Sequence, residues 1–319
     1  MGAPAPVLLR PLGVGEIIDR ALTLYVRNFV VFTATVLAVI FIPIGIAQYL
    51  LLGNEFGELQ AFLQVMQHPN APPPTLLNAN ASAQEVVVGL AMLLLFMLLL
   101  PFANNAVAIN TAAIYRGRRP SIWYALGATF RRAGPLIALL LLEALIGMGA
   151  YLVFGILFAA GAFAAVAGAG GNAGAFAVIP IVVVGIVVLL AFFVLAVLFV
   201  IALTFAGYAV VIERNGAVEA LSSGFARVFN RREWSKAVLI GLVAMMLGLG
   251  VSAFSSLGGF ALAFIPGSHV LETIWSTLVD AVSAAIQTVF YAVYYFDVRV
   301  RREGLDLEEA LGRLAPSTS

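Results

Sequence analysis

Two carboxylates, Glu143 and Asp280, stand inside long apolar runs of this sequence. A charge is costly in such surroundings, and an ionisable side chain there is a functional candidate by default. At 1.5 Å per helical residue, Glu143 lies roughly 12 Å in from Pro135, and Asp280 roughly 16 Å in from His269. No Lys, Arg or His lies deep enough in either run to neutralise them. Amide partners are at hand, with Asn104, Asn105 and Asn110 in one run and Gln287 in another. A protonated acid held against such amides is the cheapest arrangement. These six residues form a candidate intramembrane polar site, in which Glu143 and Asp280 would relay protons or hold a cation. The plainer role is interhelical hydrogen bonding, worth about 0.6 kcal/mol per bond. Asn104 and Asn105 follow Pro101, whose missing N–H frees a carbonyl that side chains or water must satisfy. That predicts either a polar break or a packed kink.

Other chemistries find little to work with. The sequence has no cysteine, which removes disulfides, thiolate nucleophiles and cysteine metal sites. Its two histidines, His68 and His269, fall in different loops. The Gly168–Asn172 turn lacks the Lys-Ser or Lys-Thr of a phosphate loop. No catalytic residue, metal site or cofactor is therefore assigned. The cations are explained by membrane topology, so no nucleic-acid partner is expected.

The elements that must position these residues follow from composition. Of 319 residues, 62% are hydrophobic and only 10% charged, far from the balance of a soluble domain. Six continuous apolar stretches are each long enough for the ~20 residues that a hydrocarbon core requires. They run from Phe29 to about Leu52, Val86–Tyr115, Pro135–Val166, Phe176–Ile212, Ala237 to about Phe260, and Val270–Phe296. The third and fourth exceed 30 residues, so they either project beyond the bilayer or bend near Gly155, Gly161 and Gly185. All seventeen basic residues fall before the first stretch, between the second and third, between the fourth and fifth, or after the sixth. By the positive-inside rule both termini are cytoplasmic. The expected location is the cell inner (plasma) membrane. The first stretch is too long for a cleaved signal and reads as an anchor that stays in place.

A short amphipathic basic segment precedes each odd-numbered stretch: Gly15–Asn28, Ser121–Gly134 and Ala217–Lys236. Each carries an Ala-Leu pair, Ala21-Leu22, Ala125-Leu126 or Ala220-Leu221, followed by Arg27, Arg131 or Arg227. The expected fold is thus all-α integral membrane, with six transmembrane helices in three repeats of interfacial helix plus two-span hairpin. The repeats cover roughly 15–115, 120–213 and 215–303 of one membrane domain, and 304–319 form a short cytoplasmic tail. Such interfacial helices lie among headgroups, which makes Arg20, Arg27, Arg131, Arg132, Arg227 and Arg231 candidate lipid contacts. Small residues at intervals of four, Ala244, Gly248, Ser252 and Ser256, predict a close helix seam, within the chain or in a homo-oligomer. In the outer loop, Phe56, Leu59, Phe62, Leu63 and Met66 predict a surface helix, ended by Pro72-Pro73-Pro74.

Three motifs resemble one family. The opening Arg10-Pro11-Leu12-Gly13-Val14-Gly15-Glu16-Ile17-Ile18-Asp19-Arg20-Ala21, continued by Leu24-Tyr25-Val26-Arg27-Asn28-Phe29, resembles the start of the glycerophosphoryl diester phosphodiesterase membrane-domain family. Glu213-Arg214-Asn215-Gly216-Ala217-Val218-Glu219-Ala220-Leu221 resembles its middle motif, and Tyr294–Leu307 its closing one. The resemblance implies a membrane module without the catalytic domain that gives the family its name, since six spans leave no room for a barrel of about 250 residues. The expected function is a non-enzymatic structural, accessory or lipid-interacting module of a membrane complex. Its partners would be membrane lipids and a membrane protein or second copy. The alternative is a transporter or channel-like protein for a small solute or lipid.

Overall fold

In a computed structural model the chain is described for residues 10–43, 45–46, 49, 79–169, 174–230, 233–265 and 268–304. The outer-loop helix over 56–66, the Pro72–Pro74 stop, the rest of the first stretch, Arg231 and the tail beyond Gly304 lie outside the described residues. Among the described residues the chain is helical throughout, with no strand. Apolar segments of this kind must satisfy every backbone N–H and C=O internally once water is excluded, and a helix does so within one segment.

The elements are α1 (Val14–Arg27), α2 (Phe29–Pro43), α3 (Ala79–Tyr115), α4 (Ile122–Phe130), α5 (Ala133–Ala169), α6 (Gly174–Tyr208), a π-helical turn (Ala209–Glu213), α7 (Ala217–Val228), α8 (Trp234–Ala263) and α9 (His269–Glu303). Five of these helices are long and apolar enough to cross a membrane, and the count becomes six if α1 and α2, bent by 78° at Asn28, are taken together. Helices α5 and α6 run unbroken through Gly155, Gly161 and Gly185. At 37 residues α5 is about 55 Å long, more than the ~30 Å thickness of a hydrocarbon core.

Local signals account for the helix ends. Gly13 caps α1, and the Glu16 carboxylate accepts its N–H at 2.8 Å. That hydrogen bond, reinforced by Arg10 at 2.5 Å, holds the Glu16 carboxyl below its ordinary range. At the end of α3, Gly117 adopts φ 70°. Its N–H reaches Ile114 O, and the next N–H, of Arg118, reaches Ala113 O. This is the left-handed glycine stop that releases the chain towards α4.

The chain divides into two compact units. In the unit formed by 1–133 and 243–319, α9 is the central element, packed by α1 and α3. Its core is aromatic, with Tyr115 stacked on Phe296 at 4.7 Å and Tyr25 parallel to Phe32 at 6.4 Å. Helix α8 meets α9 through Gly258, where the Trp275 indole lies close enough to exclude any Cβ, and through Gly248 beside Gln287. Within the chain the seam takes up only part of the expected stripe: Ala244 is buried and Gly248 lies against Gln287, but Ser252 and Ser256 are exposed, as a homo-oligomer contact would require of them. Steps of four advance 40° beyond a full turn on a 3.6-residue helix, so the seam continues instead through Val251, Ser255 and Gly258.

In the unit formed by 134–242, α7 lies on α6 with near backbone contact. A Cβ on Gly224 would stand 2.4 Å from the Ala202 carbonyl oxygen. Phe225 meets Phe199 edge-on at 5.4 Å, and Phe154 of α5 stacks on Phe192 at 3.9 Å.

The long helices share a burial pattern. Val86–Leu98 of α3 is largely exposed, whereas Phe102–Tyr115 is buried apart from Asn104. Val183–Phe193 of α6 is exposed, and Phe205–Val210 is buried. In α9 the change falls between Leu278 and Phe290. A short helix packs on each buried end: α4 on α3, α7 on α6 and α1 on α9.

Candidate functional site

The buried end of α3 gathers the polar side chains of the first unit. Asn110 is fully buried and works in two directions. Its Nδ2 donates to Thr35 Oγ1 of α2 at 3.2 Å, and its Oδ1 accepts the N–H of Ser121, the residue that caps α4, at 2.9 Å. One amide thus fixes two neighbouring elements to α3. Thr35 donates in turn to the Val31 carbonyl at 2.7 Å, and the Tyr25 hydroxyl pairs with Thr33 at 3.1 Å.

One and a half turns earlier, Asn105 is buried and its Nδ2 donates to the Pro101 carbonyl at 2.8 Å. Helix α3 runs on through Pro101 without a break in helical structure. The Oδ1 atoms of both Asn104 and Asn105 are buried and have no hydrogen-bond partner among the described residues. A buried acceptor left unmade is costly, so these two oxygens are the least satisfied polar atoms of the expected site.

On α9, Gln287 donates to Ser283 Oγ at 2.9 Å, and its amide faces Gly248 of α8. Asp280 lies half-buried a little under two turns before it and is engaged with its surroundings. Glu143 falls in the other unit, half-buried on α5, and makes no hydrogen bond or ion pair among the described residues. Asn110 and Gln287 therefore sit at joints between helices of one unit. The residues that stand apart are Glu143, by unit, and the Asn104-Asn105 pair, by unmet acceptors.

Two carboxylates not singled out as site residues also tie separate elements together. Asp297, fully buried near the end of α9, accepts the N–H of Leu12 at 2.6 Å and pairs with Arg301 at 3.1 Å. Arg301 completes the loop by donating from Nη2 to the Leu12 carbonyl at 2.5 Å. An acid followed four residues later by Arg at a helix end was the available signal. In the second unit Glu213 closes the π-helical turn, and Arg227 Nη2 reaches both its oxygens, at 2.9 and 3.0 Å. Arg227, expected among lipid headgroups, is thus buried in an ion pair. Its guanidinium has exchanged water for Glu213.

The remaining expected headgroup contacts differ among themselves. Arg27 and Arg131 are exposed, Arg132 is half-buried, and Arg20 lies over the Tyr115 ring at 5.9 Å. Among the described residues no cluster of His, Asp or Glu could hold a metal ion. Comparison with known proteins finds no matching family model, no matching curated protein and no matching solved structure.

Proposed function

We propose that this chain is a non-enzymatic multi-pass protein of the cell inner membrane, a structural or accessory, lipid-interacting module of a membrane complex. In this reading it has six spans in three repeats and both termini in the cytoplasm. It would be akin to the membrane domains found beside glycerophosphoryl diester phosphodiesterases. The observation that carries it is Asn110: the most buried amide of the expected site joins α2, α3 and α4 and so has its bonds committed to architecture. Gln287 does the same at the α8–α9 seam. The repeat is supported by the pairing of α4 with α3, α7 with α6 and α1 with α9. The buried alanines Ala125, Ala220 and Ala21 recur on the three short helices.

A second reading, transport of a small solute or lipid with Glu143 and Asp280 as proton or cation sites, is favoured by the unmet acceptors of Asn104 and Asn105. Proton flux through proteoliposomes bearing the unmodified chain, Glu143→Gln or Asp280→Asn separates the two. The module reading predicts the same background leak in all three. A flux that either substitution abolishes would establish the transporter instead.

A further inference from the structure

Helix α4 differs from the other two short helices in its charge. The nearest acids along the sequence are Glu85 and Glu143, so Arg116, Arg118, Arg119, Arg131 and Arg132 share their stretch with no carboxylate. By contrast α1 carries Glu16 and Asp19 beside its arginines, and α7 carries Glu219 while Arg227 is committed to Glu213. Within α4 there is no charge at all. Ala125, Leu126 and Thr129 pack inward, which leaves Trp123, Tyr124 and Phe130 exposed at 80%, 59% and 56%. These fall at i, i+1 and i+7, so Trp123 and Phe130 lie one above the other with Tyr124 beside them. An uncharged aromatic face between two groups of arginines is the composition of a helix seated at a lipid interface.

Chain length says which partner covers that face. The turn Arg131–Arg132 joins Phe130 directly to α5, which is membrane-crossing in length and hydropathy from its first residue, Ala133. At the other end only residues 116–121 separate α4 from α3. Two residues of chain reach no more than about 7 Å, so Phe130, Arg131 and Arg132 stay at the boundary of the bilayer that α5 enters. The ring of Phe130 is also stacked on Phe102 of α3 at 5.4 Å.

We infer that the α4 segment is the chain's contact for anionic lipid, with Trp123, Tyr124 and Phe130 among the upper acyl carbons and Arg116, Arg118, Arg131 and Arg132 on headgroup phosphates. The inference rests on the membrane reading above and names the lipid class that reading leaves open.

The test uses the full chain in nanodiscs of equal phosphatidylcholine and phosphatidylglycerol. Trp234→Phe and Trp275→Phe leave Trp123 as the sole one of three tryptophans. Bromine is placed on the acyl chains of one lipid or the other, and quenching of Trp123 reports its neighbours. Brominated phosphatidylglycerol should quench as though enriched at least about fivefold, the attraction one arginine contributes at an anionic surface. That preference should disappear with Arg116, Arg118, Arg131 and Arg132 changed together to Gln. It should also fall in the unmodified-arginine protein at high salt, which does not depend on the variant folding. Equal quenching by both lipids, no quenching by either, or a preference that survives both treatments would overturn the inference. A chain that cannot be reconstituted in any bilayer would overturn the membrane reading as well.

Discussion

The Asp297 carboxylate near the end of α9 accepts the backbone N–H of Leu12 at 2.6 Å, joining two positions 285 residues apart. The side chain is completely buried, and Arg301 bridges the same two residues from the water side. The segment leading into α1 is thereby held to the helix that ends the described chain.

Replacing Asp297 by Ala should cost about 1.5–3 kcal/mol, the range for hydrogen bonds to a charged group, because it removes the acceptor that the Leu12 N–H and Arg301 share. Thermal unfolding in a fixed detergent would show it. Protease cleavage near Leu12 should rise in parallel, whereas Glu303→Ala, at an exposed pair with Arg299, should change neither.

The Glu213–Arg227 pair predicts a different pattern. Either Glu213→Leu or Arg227→Met alone should destabilise by about 3–5 kcal/mol, since the remaining charge stays buried. The double substitution should be markedly milder than either single one. Equal losses in all three proteins would mean that the side chains matter by shape and not by charge.

Gly224→Ala probes the contact of α7 with α6. The new Cβ would meet the Ala202 carbonyl oxygen at 2.4 Å and the Ala206 nitrogen at 2.9 Å. Both are backbone atoms, so relief requires α7 to move outward at a cost of about 1–3 kcal/mol. Gly127→Ala on α4, where nothing lies within 4 Å, is the matched control and should be neutral or slightly stabilising.

Topology can be read with single cysteines, because the chain has none of its own. An impermeant maleimide added to intact cells should fail to label Arg118→Cys and Arg299→Cys and should label Ile265→Cys. The reverse pattern would invert the chain, and mixed labelling would remove one span from the count.

The helices and their apolar character were legible in the sequence because long continuous apolar runs need no tertiary contribution to be read. The distribution of arginines was equally plain. What escaped were contacts set by distant segments. Nothing near Leu12 indicates that it meets Asp297. The burial of Arg227 depends on how far the π-helical turn carries Glu213 towards α7. Ser252 and Ser256 leave the α8–α9 seam for a local reason, since a stripe of four drifts around a helix that turns every 3.6 residues. Asn110 was picked out as an amide partner for the two acids, but its role as a joint needed both Thr35 and Ser121 in place.

The central claim is that this chain is a membrane module whose work lies in its contacts with lipid and with other membrane proteins. Its most direct test is purification of the full chain in native lipid, without detergent exchange, followed by mass spectrometry of everything retained. The account predicts anionic lipid above its share of the surrounding membrane, together with a reproducible membrane-protein partner or a second copy. A bare monomer carrying lipid in the bulk proportion would contradict it.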